Sequence, residues 1–178
     1  MPLGRRSAGE AYTNPTDVLV ALLRDNGSYY FVPSQRAIDS IYSTRKVASV
    51  ELVAATEGGF LLKLAGGDPQ ASPAASIEGF SILLPDWFER AASERRVKVQ
   101  ALVRSAIAHP TRVATAYSTN EVGNSGWHWR DVGSGWTVSE FVWSVPKMRD
   151  GRGDFVGILP AEPGTPGVLV HSVAAIIL

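Results

Sequence analysis

The clearest pattern in the chain is an alternation of period two. Val97, Val99, Ala101, Val103, Ser105 and Ile107 fall on one face of an extended segment, while Lys98, Gln100, Leu102, Arg104 and Ala106 fall on the other. That is a half-buried strand with a mostly wet outer side. A second alternation starts after Arg45: Val47, Ser49, Glu51 and Val53 against Ala48, Val50, Leu52 and Ala54, with Glu57-Gly58-Gly59 turning into Phe60–Leu64. Gly66 to Ser76 is a small-residue loop, and Ile77–Leu83 is a further strand, weakened by Gly79. Around Leu84-Pro85-Asp86 the period changes to that of a helix, with proline in the first turn, where it loses no hydrogen bond, and an acid at the positive end. Trp87 with Ala91, and Phe88 with Ala92, lie four apart and share a face.

Beyond the central strand the two-residue logic repeats. Ala108-His109-Pro110-Thr111 turns into Arg112–Tyr117; a Gly/Asn/Ser loop from Asn120 to Gly126 leads to Trp127-His128-Trp129; Gly133-Ser134-Gly135 turns into Trp136–Val145. Asp150-Gly151 then turns into Phe155–Leu159, and a proline-rich connection from Pro160 to Gly167 leads into Val168–Leu178. The early part reads differently. A short helix is expected over 15–25, capped by Asn14 or Thr16 and stopped at Asn26-Gly27, followed by a strand at Ser28–Val32 and a weak helical turn from Gln35 to Tyr42. About eight strands after Arg45, interrupted by one helix, predict an all-β sandwich or barrel.

Composition narrows the function classes. The 178 residues are about one domain's worth; Lys plus Arg number 17 and Asp plus Glu 17, with 19% charged residues against 45% hydrophobic. Neither a disordered chain nor a polybasic nucleic-acid wrapper has this balance. Cysteine is absent, which excludes disulfides, thiol catalysis and thiolate metal sites. The longest apolar run, Val173–Leu178, is far below the ~20 residues of a bilayer span, and no apolar stretch follows Arg5-Arg6 as a signal peptide requires. A soluble chain without membrane partners is expected. Charge is nonetheless uneven: residues 86–112 and 1–46 lean basic, and the chain after 113 leans acidic.

An enzyme reading fails on inventory. There is no Gly-Lys phosphate loop, no Gly-x-Gly-x-x-Gly and no Gly-x-Ser-x-Gly. His109, His128 and His171 lack the spacing of a metal site, so no metal and no cofactor is expected. Glycoside hydrolysis needs two facing carboxylates about 5–10 Å apart; Asp131 and Glu140 are the pair on adjacent strands, but scattered exposed acids are the better description of the carboxylates as a set. Trp127, Trp129, Trp136 and Trp143 stand close together, with Trp127 and Trp129 on one strand face. They stack sugars or bases in one reading and fill core or subunit contacts in the other. Arg152-Gly153-Asp154 spells an integrin-binding tripeptide, which turn chemistry explains more simply.

Three segments carry a family resemblance: Leu84–Ser93 running into Arg96–Val103; Ala106–Tyr117 with His109-Pro110-Thr111-Arg112; and Phe155–Leu178 with Pro163-Gly164-Thr165-Pro166-Gly167 between two strands. Their order resembles the jelly-roll coat protein of small icosahedral positive-strand RNA viruses, tymovirus-like and more loosely tombusvirus-like. The resemblance implies an all-β fold, an eight-stranded antiparallel jelly-roll β-sandwich with one or two short helices, divided into an N-terminal arm with its short helix over 1–44 and a jelly-roll shell domain over 45–178. It implies a non-enzymatic capsid subunit that assembles with many copies of itself, contacts genomic RNA weakly, and resides in the virion after assembly in the host cytoplasm. In that reading Arg5, Arg6, Arg45 and Lys46 face RNA, and Trp127, Trp129, Trp136 and Trp143 make subunit contacts. The competing class is a carbohydrate-binding β-sandwich using Trp127 and Trp129, with a phage or bacterial assembly protein as a third.

Overall fold

A computed structural model describes residues 11–12, 28–34, 41–43, 48–56, 58–66, 80–150, 153–160 and 167–178. These form two antiparallel sheets packed face to face, with one short helix. The elements are β1 (Ala11–Tyr12), β2 (Tyr29–Phe31), β3 (Ile41–Ser43), β4 (Ala48–Ala54), β5 (Phe60–Gly66), β6 (Phe80–Leu83), α1 (Asp86–Ala92), β7 (Arg96–Ser105) and β8 (Thr111–Thr119). β9 (Gly123–Asn124), β10 (His128–Val132), β11 (Trp136–Ser144), β12 (Phe155–Pro160) and β13 (Val168–Ile177) complete them.

Sheet A runs β1-β11-β7-β13-β5-β4, with β2 also on β13; sheet B runs β10-β8-β12-β6-β3, with β9 on β8. The long strands that alternate most cleanly occupy the middle. β7 lies between β11 and β13, and its residues Val97, Val99, Ala101 and Val103 face sheet B, where they meet Val113, Tyr117, Val156 and Ile158. Burying such β-branched rows from both sheets is the main driving force for the sandwich. A polar contact crosses this interior, between Thr115 Oγ1 and Ser139 Oγ at 3.5 Å. Gly167 enters β13 at φ +69, and a Cβ there would collide with the Leu64 carbonyl, so the turn into the last strand accepts only glycine.

Of the sandwich or barrel expected from the alternation the sandwich is observed, and it is jelly-roll-like, as the resemblance implied. Ten strands, one of them the two-residue β9, follow Arg45 among the described residues, where the pattern reads about eight. The helix expected over 15–25 lies outside the described residues, as do positions 35–40 of the expected helical turn, whose remainder, Ile41 and Tyr42, belongs to β3, paired with β6. Strand pairing wins there because the edge of β6 leaves backbone groups to satisfy. Short strands β1, β2 and β3, all before residue 45, hydrogen-bond to β11, β13 and β6 of the body. No helix among the described residues is long and apolar enough to cross a membrane.

Candidate functional site

The two sheets differ in what they turn outward. On sheet B the register places Trp129 (β10), Ala114 (β8) and Leu159 (β12) side by side, and Asp131 beside Arg112. The next outward row is Ala116, Gly157 and Ser81, and beyond it Ser118, Phe155 and Leu83. Alternation dictates this grouping: Val113, Thr115 and Tyr117 point inward, so Arg112, Ala114, Ala116 and Ser118 point out.

On this face Trp129 is 42% exposed and Leu83 41%; single apolar side chains are exposed elsewhere too, Trp87 at 54% and Val142 on the outer face of sheet A at 42%. The Arg112 guanidinium sits 5.0 Å from the Trp129 ring centroid, and its Nε lies 3.4 Å from Oδ1 of Asp131. An indole held by a cation, with a carboxylate alongside, presents an apolar plane next to matched donors and acceptors. Such a surface stacks on the apolar face of a ring while hydrogen-bonding its hydroxyls. At the centre of this face Ala114 and Ala116 are 0% exposed and Gly157 is buried, so the exposed large apolar side chains of the face, Trp129 and Leu83, stand to either side, on β10 and β6.

The four tryptophans expected to act together are dispersed. Trp127 is half-buried just before β10, and Trp129 is exposed. Trp143 points between the sheets with its ring 5.4 Å from Tyr117 and packs on the core. Trp136, 4% exposed, belongs to a cluster on the outer face of sheet A with Leu61, Leu102, Ala174 and Ile176. The basic set Arg5, Arg6, Arg45 and Lys46 lies outside the described residues.

Asp131 and Glu140 stand on opposite outer faces of the sandwich, so they cannot act as a facing pair; both are exposed, as expected. His109 is exposed, and His128 stacks on Phe141 with centroids 4.0 Å apart. Among the described residues no group of three or more His, Cys, Asp or Glu is placed to hold a metal ion. Asp154 of the Arg-Gly-Asp tripeptide is buried and accepts the Tyr117 hydroxyl at 2.7 Å, so its carboxylate is not on offer to a receptor.

Sequence reasoning missed two carboxylates. Glu89 and Asp154 are buried where exposed acids are expected. The signal for Glu89 lies in the helix face: Phe88 and Ala92 point inward, and position 89, three before Ala92, shares that stripe, whereas Trp87 and Ala91 point to solvent.

No family model matches the chain, and no curated protein does. Several solved structures are similar to it at low identity. The C-terminal family 6 carbohydrate-binding module of a laminarinase from Zobellia galactanivorans is 13% identical over 84% of this chain and 99% of its own, with TM-score 0.46. A family 22 xylan-binding domain from Paenibacillus barcinonensis is 11% identical over 83% and 85%, with TM-score 0.46. The family 11 module from Clostridium thermocellum, in complex with a mixed-linked tetrasaccharide, is 14% identical over 96% and 97%, with TM-score 0.42. All three are carbohydrate-binding modules and none is a viral coat protein. The coat-protein resemblance is corrected accordingly, and with it the icosahedral shell, the partners expected (copies of itself and RNA) and the virion location. The physical reason for the misreading is that strand alternation split by Gly/Pro turns is common to antiparallel sandwiches, so the order of elements does not separate a shell from a recognition module.

Proposed function

We propose that the protein is a carbohydrate-binding β-sandwich, without a catalytic role of its own, whose ligand lies on the outer face of sheet B. The observation that carries this reading is the solvent-exposed Trp129 ring fixed under Arg112, with Asp131 beside it. The indole supplies the stacking plane, Arg112 the donors and Asp131 the acceptor for neighbouring hydroxyls. Trp127, half-buried one residue before β10, is the second aromatic residue the reading assigns to this site.

Glycan-array binding of the purified chain tests it, with xylan, cello-oligosaccharides and mixed-linked glucan oligosaccharides on the array. Binding of at least one class is expected, and Trp129→Ala with Trp127→Ala should abolish it while circular dichroism and melting remain near wild type. No binding to any glycan, or binding indifferent to both substitutions, contradicts the proposal.

A further inference from the structure

Away from the Trp129 edge, where α1 meets the end of the sandwich, three polar side chains are buried together. Glu89 on α1 and Tyr117 on β8 are 0% exposed, and Asp154 just before β12 is 1% exposed. The Tyr117 hydroxyl donates to Oδ2 of Asp154 at 2.7 Å, and the backbone N–H of Asp154 donates to Oε1 of Glu89 at 3.0 Å. The Asp154 carbonyl accepts the N–H of Leu84 at 2.9 Å, tying the entry of α1 to the same point. The other two carboxyl oxygens, Oε2 of Glu89 and Oδ1 of Asp154, are buried without a hydrogen-bond partner.

Among the described residues the surrounding charges do not compensate these groups. On α1, Asp86 is exposed and paired with Arg90 at 3.6 Å. Across from Asp154, Glu121 accepts the backbone N–H groups of Arg149 at 2.6 Å and Asp150 at 2.9 Å. Arg149 acts on Glu121, and Glu121 in turn adds negative potential at Asp154. Among the described residues no lysine, arginine or histidine forms an ion pair with Glu89 or Asp154. Two ionised carboxylates buried together without a cation are strongly unfavourable.

We propose that a carboxyl proton on the Glu89–Asp154 pair is part of the seat of α1, so that this end of the sandwich loosens as the medium goes from mildly acid to neutral. Burial, aided by the charges of Asp154 and Asp86, pushes Glu89 up to about 7, against the pull of the Asp154 and Gly153 N–H groups. Burial pushes Asp154 up as well, opposed by the Tyr117 hydrogen bond and reinforced by Glu121. When α1 lifts away, Glu89 regains its ordinary value of 4.5. The seated form therefore keeps a proton that the lifted form loses between 4.5 and about 7. Below that window both forms are protonated and the seat is complete. Within it each pH unit favours lifting by about tenfold, roughly 300-fold in all, and above it the ratio levels off.

Hydrogen exchange on the full chain tests this through the amides of Phe88 and Glu89, which donate to the Pro85 carbonyl at 2.8 and 3.3 Å. After correction for intrinsic exchange, their opening equilibrium should rise about tenfold per pH unit and flatten near 7, and Glu89→Gln should remove the slope. An opening equilibrium independent of pH in the wild type, or a slope retained in Glu89→Gln, overturns the proposal. Should that variant not fold, the carbon-13 shift of the wild-type Glu89 carboxyl decides: a midpoint near 7 supports the seat, and one near the ordinary 4.5 overturns it.

Discussion

Two tryptophans of this chain have the same partner and opposite surroundings. Trp136 lies under Arg104, 4.8 Å from guanidinium carbon to ring centroid, and Trp129 lies under Arg112 at 5.0 Å. Yet Trp136 is 4% exposed and Trp129 is 42% exposed. The neighbours make the difference. Trp136 opens β11 on sheet A, edge-on to His171 at 5.6 Å and clustered with Leu61, Leu102, Ala174 and Ile176. Trp129 has Ala114 in register beside it and Asp131 two residues on. A cation over an indole thus marks neither core nor site; the size of the side chains around the ring decides which it becomes.

The comparison breaks most visibly under truncation. Trp136→Ala should lower unfolding stability by about 3–5 kcal/mol, because a large cavity opens in a closed cluster. Trp129→Ala should cost under about 1 kcal/mol, since an exposed ring loses little burial. Urea denaturation measures both, and equal losses would erase the distinction between the faces.

For ligand affinity the order should reverse. Trp129→Ala is expected to weaken glycan binding by about thirtyfold, equivalent to about 2 kcal/mol. Any folded substitution on the outer face of sheet A, such as Val142→Ala, should leave affinity unchanged in calorimetric titration.

The smallest effect concerns the two arginines. Arg104 has a buried Nε with no hydrogen-bond partner, whereas Arg112 is exposed and ion-paired with Asp131. Arg112→Ala should change stability by only about 0.5 kcal/mol, an effect that shrinks at high salt. Arg104→Ala should cost about 1–2 kcal/mol with little salt dependence, because packing over Trp136 is lost as well. Thermal melts at low and high salt separate them.

What the amino-acid sequence disclosed follows the same division. The alternation through Val97 to Val103 is legible because a half-buried strand must repeat every two residues, and β7 sits where that demands, at the centre of sheet A. Pairing between distant strands is not legible. Nothing local says that Trp136 will meet His171, which also sits at the register shift between Val170 and Ser172. For this reason the tryptophans read as one set, although the fold sends Trp143 inward, Trp136 to one outer face and Trp129 to the other. Trp127 and Trp129 read in the sequence as a candidate stacking pair on one strand face, but β10 begins at His128, so only Trp129 is placed by the strand. The burial of Glu89 and Asp154 was hidden for the same long-range reason: Tyr117 and Asp154 are 37 residues apart and meet only once β8 and β12 pair.

The most direct measurement of the central claim is a two-dimensional NMR titration of the full chain with a glycan that scores on the array, following the five indole N–H signals. The expected result is a large, saturable shift of the Trp129 indole, with Trp136 and Trp143 unmoved and neighbouring backbone shifts confined to β8, β10 and β12. Saturable shifts centred on Trp136 and the outer face of sheet A, with Trp129 unchanged, would contradict it.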